Sequence, residues 1–195
     1  MKKSIIALIL AAALLFGLSI GLDGMAVRNA ENYHLELMKT LLPGAETFTL
    51  EPYSGEDANI RSVHKADQGF VVETVTYGYA GEITMLVGVN NAGKVTGLVV
   101  SEAYETFGLG GNALTDHVFL KQFLNKTGSF EVATTGADAF SGATAEAETA
   151  EGEATPVDAI TGATVTSKAV VRCVNSAVAY VTGADAVTEA TSWGG

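Results

Sequence analysis

Hydrophobic and polar positions divide the chain into stretches of different character. Ser4 to Leu22 runs for nineteen residues without a charge, longer than the roughly 7 to 15 apolar residues of a cleaved signal. As a helix it would extend about 28 Å, close to the roughly 30 Å hydrocarbon core of a bilayer. Lys2 and Lys3 precede it and Asp23 is the first charge beyond it, so the positive-inside rule puts the N-terminus in the cytoplasm and the rest outside. A cleaved secretory signal ending near Ser19-Ile20-Gly21 is the alternative, and it exports the same domain. From Ala26 to Leu42, the spacing of Tyr33, Leu35, Leu37, Met38, Leu41 and Leu42 is compatible with an amphipathic helix ending at Pro43-Gly44.

The pattern then changes period. Phe70 to Tyr77, Ile83 to Val89 and Val95 to Val100 are rich in β-branched residues and separated by turn signals at Gly78 to Gly81 and Asn90 to Gly93. They predict an antiparallel meander. Helical spacing returns in Leu114 to Leu124 and again from Thr166 onward. There Ala169, Val170, Cys173, Val174, Ala177, Val178 and Val181 form an apolar stripe, with Lys168, Arg172 and Asn175 on the other face. Between Ala133 and Thr155 the chain is almost entirely Ala, Thr, Gly and acids, too poor in apolar area to offset its ordering entropy, and it reads as a flexible acidic insertion. Ala184 to Gly195 reads as a tail. The fold class predicted is α+β: an N-terminal transmembrane helix, then an extracytoplasmic domain with an antiparallel or mixed sheet packed with helices.

Charge and composition narrow the function classes. Asp plus Glu outnumber Lys plus Arg by 22 to 11, giving a net charge of −11, which disfavours the cation-driven binding of nucleic acid. Apolar residues at 48% exclude a wholly disordered chain. The single cysteine, Cys173, has no disulfide partner and sits in a helix stripe as a packed core thiol. His34, His64 and His117 lie far apart without ligands at metal-site spacing.

The chemistry concentrates in Asp158-Ala-Ile-Thr161-Gly162-Ala163-Thr164-Val-Thr166-Ser167, where an extended piece meets the last helix. Gly162 permits a tight turn, while Thr164, Thr166 and Ser167 offer hydroxyls to the free N–H groups of the helix's first turn. Such a helix start also suits a phosphate. On local sequence alone, a capped helix behind a glycine turn accounts for the same residues.

This segment resembles the flavin-attachment sequence of the FMN-binding domain family, D-x-x-[ST]-G-A-T-x-T-S, found in the G subunit of the Rnf electron-transport complex and the C subunit of the sodium-pumping quinone reductase. Gly78 to Val89 and Gly93 to Gly97 are similar to that family's central strands and turn. Glu105-Thr106-Phe107-Gly108-Leu109-Gly110 resembles its E-T-P-G-L-G loop, with Phe107 in place of proline. The likeness, with the N-terminal anchor and Leu42 to Ala45, takes in most of the chain in order.

The resemblance implies FMN joined through its phosphate to the Thr164 hydroxyl by a dedicated flavin transferase. Asp158 would be read by that transferase, and Thr161, Gly162, Ala163, Thr166 and Ser167 would shape the phosphate site. Glu105, Thr106, Gly108, Leu109 and Gly110 would flank the flavin ring. No histidine adjoins Thr164 in sequence to activate it, consistent with an external enzyme. A second copy of the short motif, Asp138-Ala-Phe-Ser141-Gly142-Ala143-Thr144, lies in the acidic stretch without the T-S pair or a helix stripe, so one flavin per chain is expected.

The expected organisation is an anchor at 1–24, a helical stalk and connector at 25–60, an FMN-binding domain at 61–183 with the insertion at 133–155, and a tail at 184–195. The function implied is electron transfer through covalent FMN as a redox subunit, not catalytic alone, of an Rnf-like ion-translocating oxidoreductase. Its partners would be the other membrane subunits. The competing expectations are a free-standing exported flavoprotein and a non-redox binding domain.

Overall fold

The computed structural model describes residues 30–106, 108, 110–133 and 154–184. The expected membrane span at 4–22, nearly all of the acidic insertion with its second motif, the tail beyond Ala184, and Phe107 and Leu109 lie outside the described residues. Among the described residues no helix is long and apolar enough to cross a membrane. The chain divides into two compact units, residues 1–37 and residues 38–195. In the first, residues 30–37 are helical and begin α1 (30–41).

The second unit is built on five antiparallel strands in chain order: β1 (Thr49–Glu51), β2 (Ile60–Ala66), β3 (Gly69–Tyr77), β4 (Glu82–Asn90) and β5 (Val95–Ala103). The last three are the predicted meander, joined at the predicted glycine and asparagine turns. The sheet extends further toward the N-terminus than the pattern indicated. β2 carries Arg61, His64 and Lys65 among its apolar positions, and only Ile60 and Val63 of it are buried. Its mixed composition hid a half-buried strand.

β4 is buried on both faces except at its ends. On one face Ile83, Met85, Val87 and Val89 join the main core with α4 (Thr164–Thr182). On the other, Gly88 lies opposite Gly97 of β5. A Cβ at either glycine would run into the backbone of Leu41. The paired glycines therefore let the last turn of α1 lie directly on the sheet, where the Thr96 hydroxyl donates to the Leu41 carbonyl at 2.6 Å. Leu41 and Leu42 are buried there, which fixes the helix end that Pro43 and Gly44 terminate.

α4 buries Ala169, Val170, Cys173, Val174, Ala177 and Val178 as the stripe predicted, and Val171 and Ser176 besides. Asn175, expected on the polar face, instead grips a second, two-stranded sheet. Its side chain accepts from Phe130 N–H and donates to Phe130 C=O, both at 2.9 Å. That sheet pairs β6 (Phe130–Ala133) in parallel with β7 (Thr155–Asp158). Ala133 and Thr155, at the limits of the expected insertion, are thus strand residues, and the acidic stretch connects two paired strands. Nothing in its composition announced that pairing, since parallel partners need a crossover and leave no local signature.

The helix predicted from Leu114 to Leu124 is two short helices, α2 (Gly110–Thr115) and α3 (His117–Lys121). Asp116 divides them: in extended conformation, its carboxylate accepts from Val118 and Phe119 N–H at 2.7 and 3.1 Å. A short acidic side chain prefers capping to lying inside a helix, and here that preference overrode the apolar period. Phe119, Phe123 and Phe130 stack edge to face at 5.6 and 5.2 Å beneath these helices.

Candidate functional site

Strand β7 delivers Asp158 to the turn that opens α4. Gln122, just beyond α3, holds the strand end. Its Nε2 donates to the Asp158 carbonyl at 3.1 Å and its Oε1 accepts the Asp158 N–H at 2.9 Å. Both backbone groups of Asp158 are thereby fixed while the residue stays exposed. Gln122 carries no sequence signal for this role, because its partner is 36 residues away.

The turn then reverses through Gly162, whose φ of 78° lies in the left-handed region that glycine enters without strain. Ala163 N–H donates to Ile160 C=O at 2.9 Å and closes it. The buried Ser167 hydroxyl ties the turn from beneath, accepting from Ile160 N–H at 3.2 Å and donating to Ala163 C=O at 3.0 Å. This corrects the capping expectation. Ser167 braces the turn instead of capping the helix, Thr166 points its hydroxyl elsewhere, and the residue at the cap position, Ala163, supplies no side-chain bond. The N–H groups that open a helix have no partners within it, so the positive end of a nineteen-residue helix is left without a side-chain cap. Beside it Thr161, Gly162 and Thr164 are exposed.

The glycine loop meets this helix start from the side. Glu105 receives the N–H groups of Tyr79 and Ala80 on Oε1, at 2.7 and 3.4 Å, anchoring the turn between β3 and β4. Its other oxygen, Oε2, is buried and finds no partner among the described residues, and the same is true of Thr166 Oγ1. Gly110 lies against both. A Cβ built on it would stand 2.7 Å from Thr166 Oγ1 and closer still to Glu105 Oε2. Three of the predicted residues, Glu105, Gly110 and Thr166, therefore converge. Thr106 and Gly108 lie exposed along the loop. The Thr106 carbonyl accepts from Gly111 N–H at 3.1 Å, and the Gly108 carbonyl accepts from Asn112 Nδ2 at 3.0 Å. These bonds set the loop's course.

Two features escaped the sequence. Tyr77, Tyr79 and Tyr104 are 71%, 75% and 73% exposed and belong to segments that meet beside Glu105. The turn glycine Gly81 abuts Tyr104, and Arg172 of α4 donates to the Tyr77 carbonyl at 2.9 Å. The second is an open cleft of about 610 Å³ between β5 and α2–α3, lined by Leu98, Val100, Leu114 and Leu120, with Glu105 on its wall. Exposed tyrosines at strand ends have no periodic signature, and the cleft exists only once the helices are docked. Cys173 lies away from this site. Burial raises its thiol above the ordinary value, and the Thr74 and Thr76 hydroxyls oppose that only in part.

Residues 78–179 match the family described as FMN-binding domain. The chain is 36% identical to the G subunit of the Na(+)-translocating ferredoxin:NAD(+) oxidoreductase complex of Acetobacterium woodii over 111 residues, 56% of this chain and 47% of that protein. It is 38% identical to the G subunit of the proton-translocating ferredoxin:NAD(+) oxidoreductase complex of Clostridium ljungdahlii over 58% of this chain and 53% of that protein. With the G subunit of the ion-translocating oxidoreductase complex of Methanosarcina acetivorans it shares 34% identity over 75% of this chain and 73% of the relative. It thus spans about half the length of the first two relatives. The family match runs from the turn that Glu105 anchors, through the glycine loop, to the body of α4, and on it this chain belongs to the FMN-binding domain family.

Proposed function

We propose that this protein is a membrane-anchored electron carrier whose FMN is bound through a phosphoester to Thr164, as the G-type subunit of an ion-translocating oxidoreductase. The observation that carries the attachment is the contrast among the hydroxyls at the α4 turn. Thr166 is 1% exposed and Ser167 is fully buried and bonded on both sides. Thr164 is exposed at the uncapped end of the helix. A modifying enzyme can reach Thr164 and not Thr166. The exposed Thr161 precedes Gly162 and lies outside the helix, where the aligned N–H groups do not favour a phosphate.

The residues present fit the cofactor. The helix start supplies free amide donors and a positive dipole end to the phosphate. Lys168, one turn on from Thr164 and exposed, adds a cation on the same face. The apolar cleft beside Glu105 is of a size that suits a flat aromatic ring. When bound, FMN supplies the one- and two-electron chemistry that no side chain here can perform.

Attachment balances only with an activated donor. The Thr164 oxygen forms a bond to the flavin's phosphorus, a phosphoanhydride bond such as that of a flavin dinucleotide breaks, and the nucleotide leaves as its monophosphate with the threonine proton. The chain gains one FMN less one water. The complex itself is supported by the names of the three relatives, and the anchor by the charge-free run from Ser4 to Leu22. The folded domain would stand outside the cytoplasm. Extraction in mild detergent tests the assembly: polytopic subunits and yellow colour co-purifying with this chain support it, and a lone chain in every detergent contradicts it.

A further inference from the structure

Glu105 Oε2 and Thr166 Oγ1 raise a question that attachment at Thr164 does not answer. Buried polar atoms are nearly always paired, because leaving one without a partner costs a substantial part of its solvation. Here two such atoms lie at one place, both against Gly110, and among the described residues neither has a partner. Thr166 is almost completely buried, and the other oxygen of Glu105 is held by the Tyr79 N–H, so neither group is a freely rotating surface side chain. Their chemistry specifies the missing partner. A carboxylate oxygen accepts only, whereas a threonine hydroxyl both accepts and donates. A single uncharged hydroxyl can serve both, donating to the carboxylate and accepting from the threonine. A phosphate is excluded, since it would meet the carboxylate as a like charge.

Resting on the reading of Thr164 as the attachment point, we propose that Glu105 and Thr166 form the receptor for a ribityl hydroxyl of FMN, so that they select the sugar chain and fix its direction. Thr166 is two residues beyond Thr164, about 3 Å along the axis, and it is buried where Thr164 is exposed. The ribityl hydroxyls lie nearer the phosphate than the ring's imide, which stands at the far end of three fused rings. The carboxylate keeps the phosphate outside. The pair therefore orients the flavin as well as holding it.

The test is a fluorescence-quenching titration of the full chain, made without a transferase, with FMN and with FMN lacking the 2′, 3′ or 4′ hydroxyl. One of the three deoxy forms should bind about tenfold more weakly than FMN, as expected for a hydrogen bond to a charged acceptor. That discrimination should shrink to within about twofold in Glu105→Gln and in Thr166→Val, both close in volume to the residues they replace. Equal binding of all four flavins by the unaltered chain, discrimination that survives both substitutions, or no measurable binding of FMN overturns the proposal. The flavin reading is judged separately, by the mass the transferase adds to the same chain.

Discussion

Gly110 and Gly111 are neighbours at the start of α2, yet the geometry assigns them opposite responses to the same methyl group. A Cβ at Gly110 would overlap Glu105 Oε2 and Thr166 Oγ1, whereas one at Gly111 meets nothing nearer than the Thr106 carbonyl at 3.5 Å. In Gly110→Ala the structure relaxes by turning the Glu105 carboxylate away, and that loosens its bond from Tyr79 N–H. Overpacking of this kind costs about 1 to 3 kcal/mol. A mid-range value of about 2 kcal/mol lowers the melting temperature by roughly 4 to 8 °C in a chain of this size. Gly111→Ala instead gains up to about 1 kcal/mol from helix propensity, a rise of roughly 2 to 4 °C. The assay is thermal melting of the full chain in detergent by circular dichroism, with flavin content read from the visible absorbance of the same samples. Gly110→Ala should melt lower and carry less flavin; Gly111→Ala should do neither. Equal shifts in the two variants, or a stable and fully loaded Gly110→Ala, would refute the convergence of Glu105 and Thr166 on Gly110.

Other consequences can be checked alongside it. Gln122→Ala removes both bonds to the Asp158 backbone, which should cost about 1 to 3 kcal/mol by chemical denaturation and slow flavin loading, while unchanged loading would separate Asp158 from the transferase. Lys168→Glu puts a like charge one turn from the attachment threonine and should slow loading severalfold at low salt, with the deficit narrowing as salt is added; a deficit independent of salt would rule out a charge effect. Burial raises the Cys173 thiol, and burial with Glu51 raises the Tyr180 phenol. Both groups hold their protons more tightly when folded, so the stability they contribute is complete below their ordinary titration ranges and declines as pH rises through and beyond them. Denaturation midpoints should therefore fall above about pH 9, where the ordinary thiol range lies, and Cys173→Ala should flatten the part of that fall nearest pH 9.

Much of the fold was legible because its elements obey one rule each. β3, β4 and β5 are rich in β-branched residues between turn signals, and α4 keeps its stripe through Val178. What escaped depended on long-range partners. β2 is too charged to stand out, β6 and β7 pair across the acidic stretch, and Asp116 breaks a helix that the apolar period alone would have continued. At the site, the motif located the turn and the helix start correctly, but assigned the hydroxyls by proximity in sequence. The fold assigns them by depth: Ser167 braces the turn, Thr166 lies with Glu105 against Gly110, and of the three hydroxyls in the first turn of α4 Thr164 alone remains outside. The convergence of Glu105 and Thr166 could not be read from a chain in which sixty-one positions separate them.

The central claim is most directly tested by intact-mass measurement and peptide mapping of the chain co-expressed with a flavin transferase. The unaltered protein and Thr166→Val should each gain one FMN less one water, carried on the peptide containing Thr164, and Thr164→Ala should gain nothing. A flavin retained in Thr164→Ala, or mapped to Thr144 or Thr161, would contradict the account.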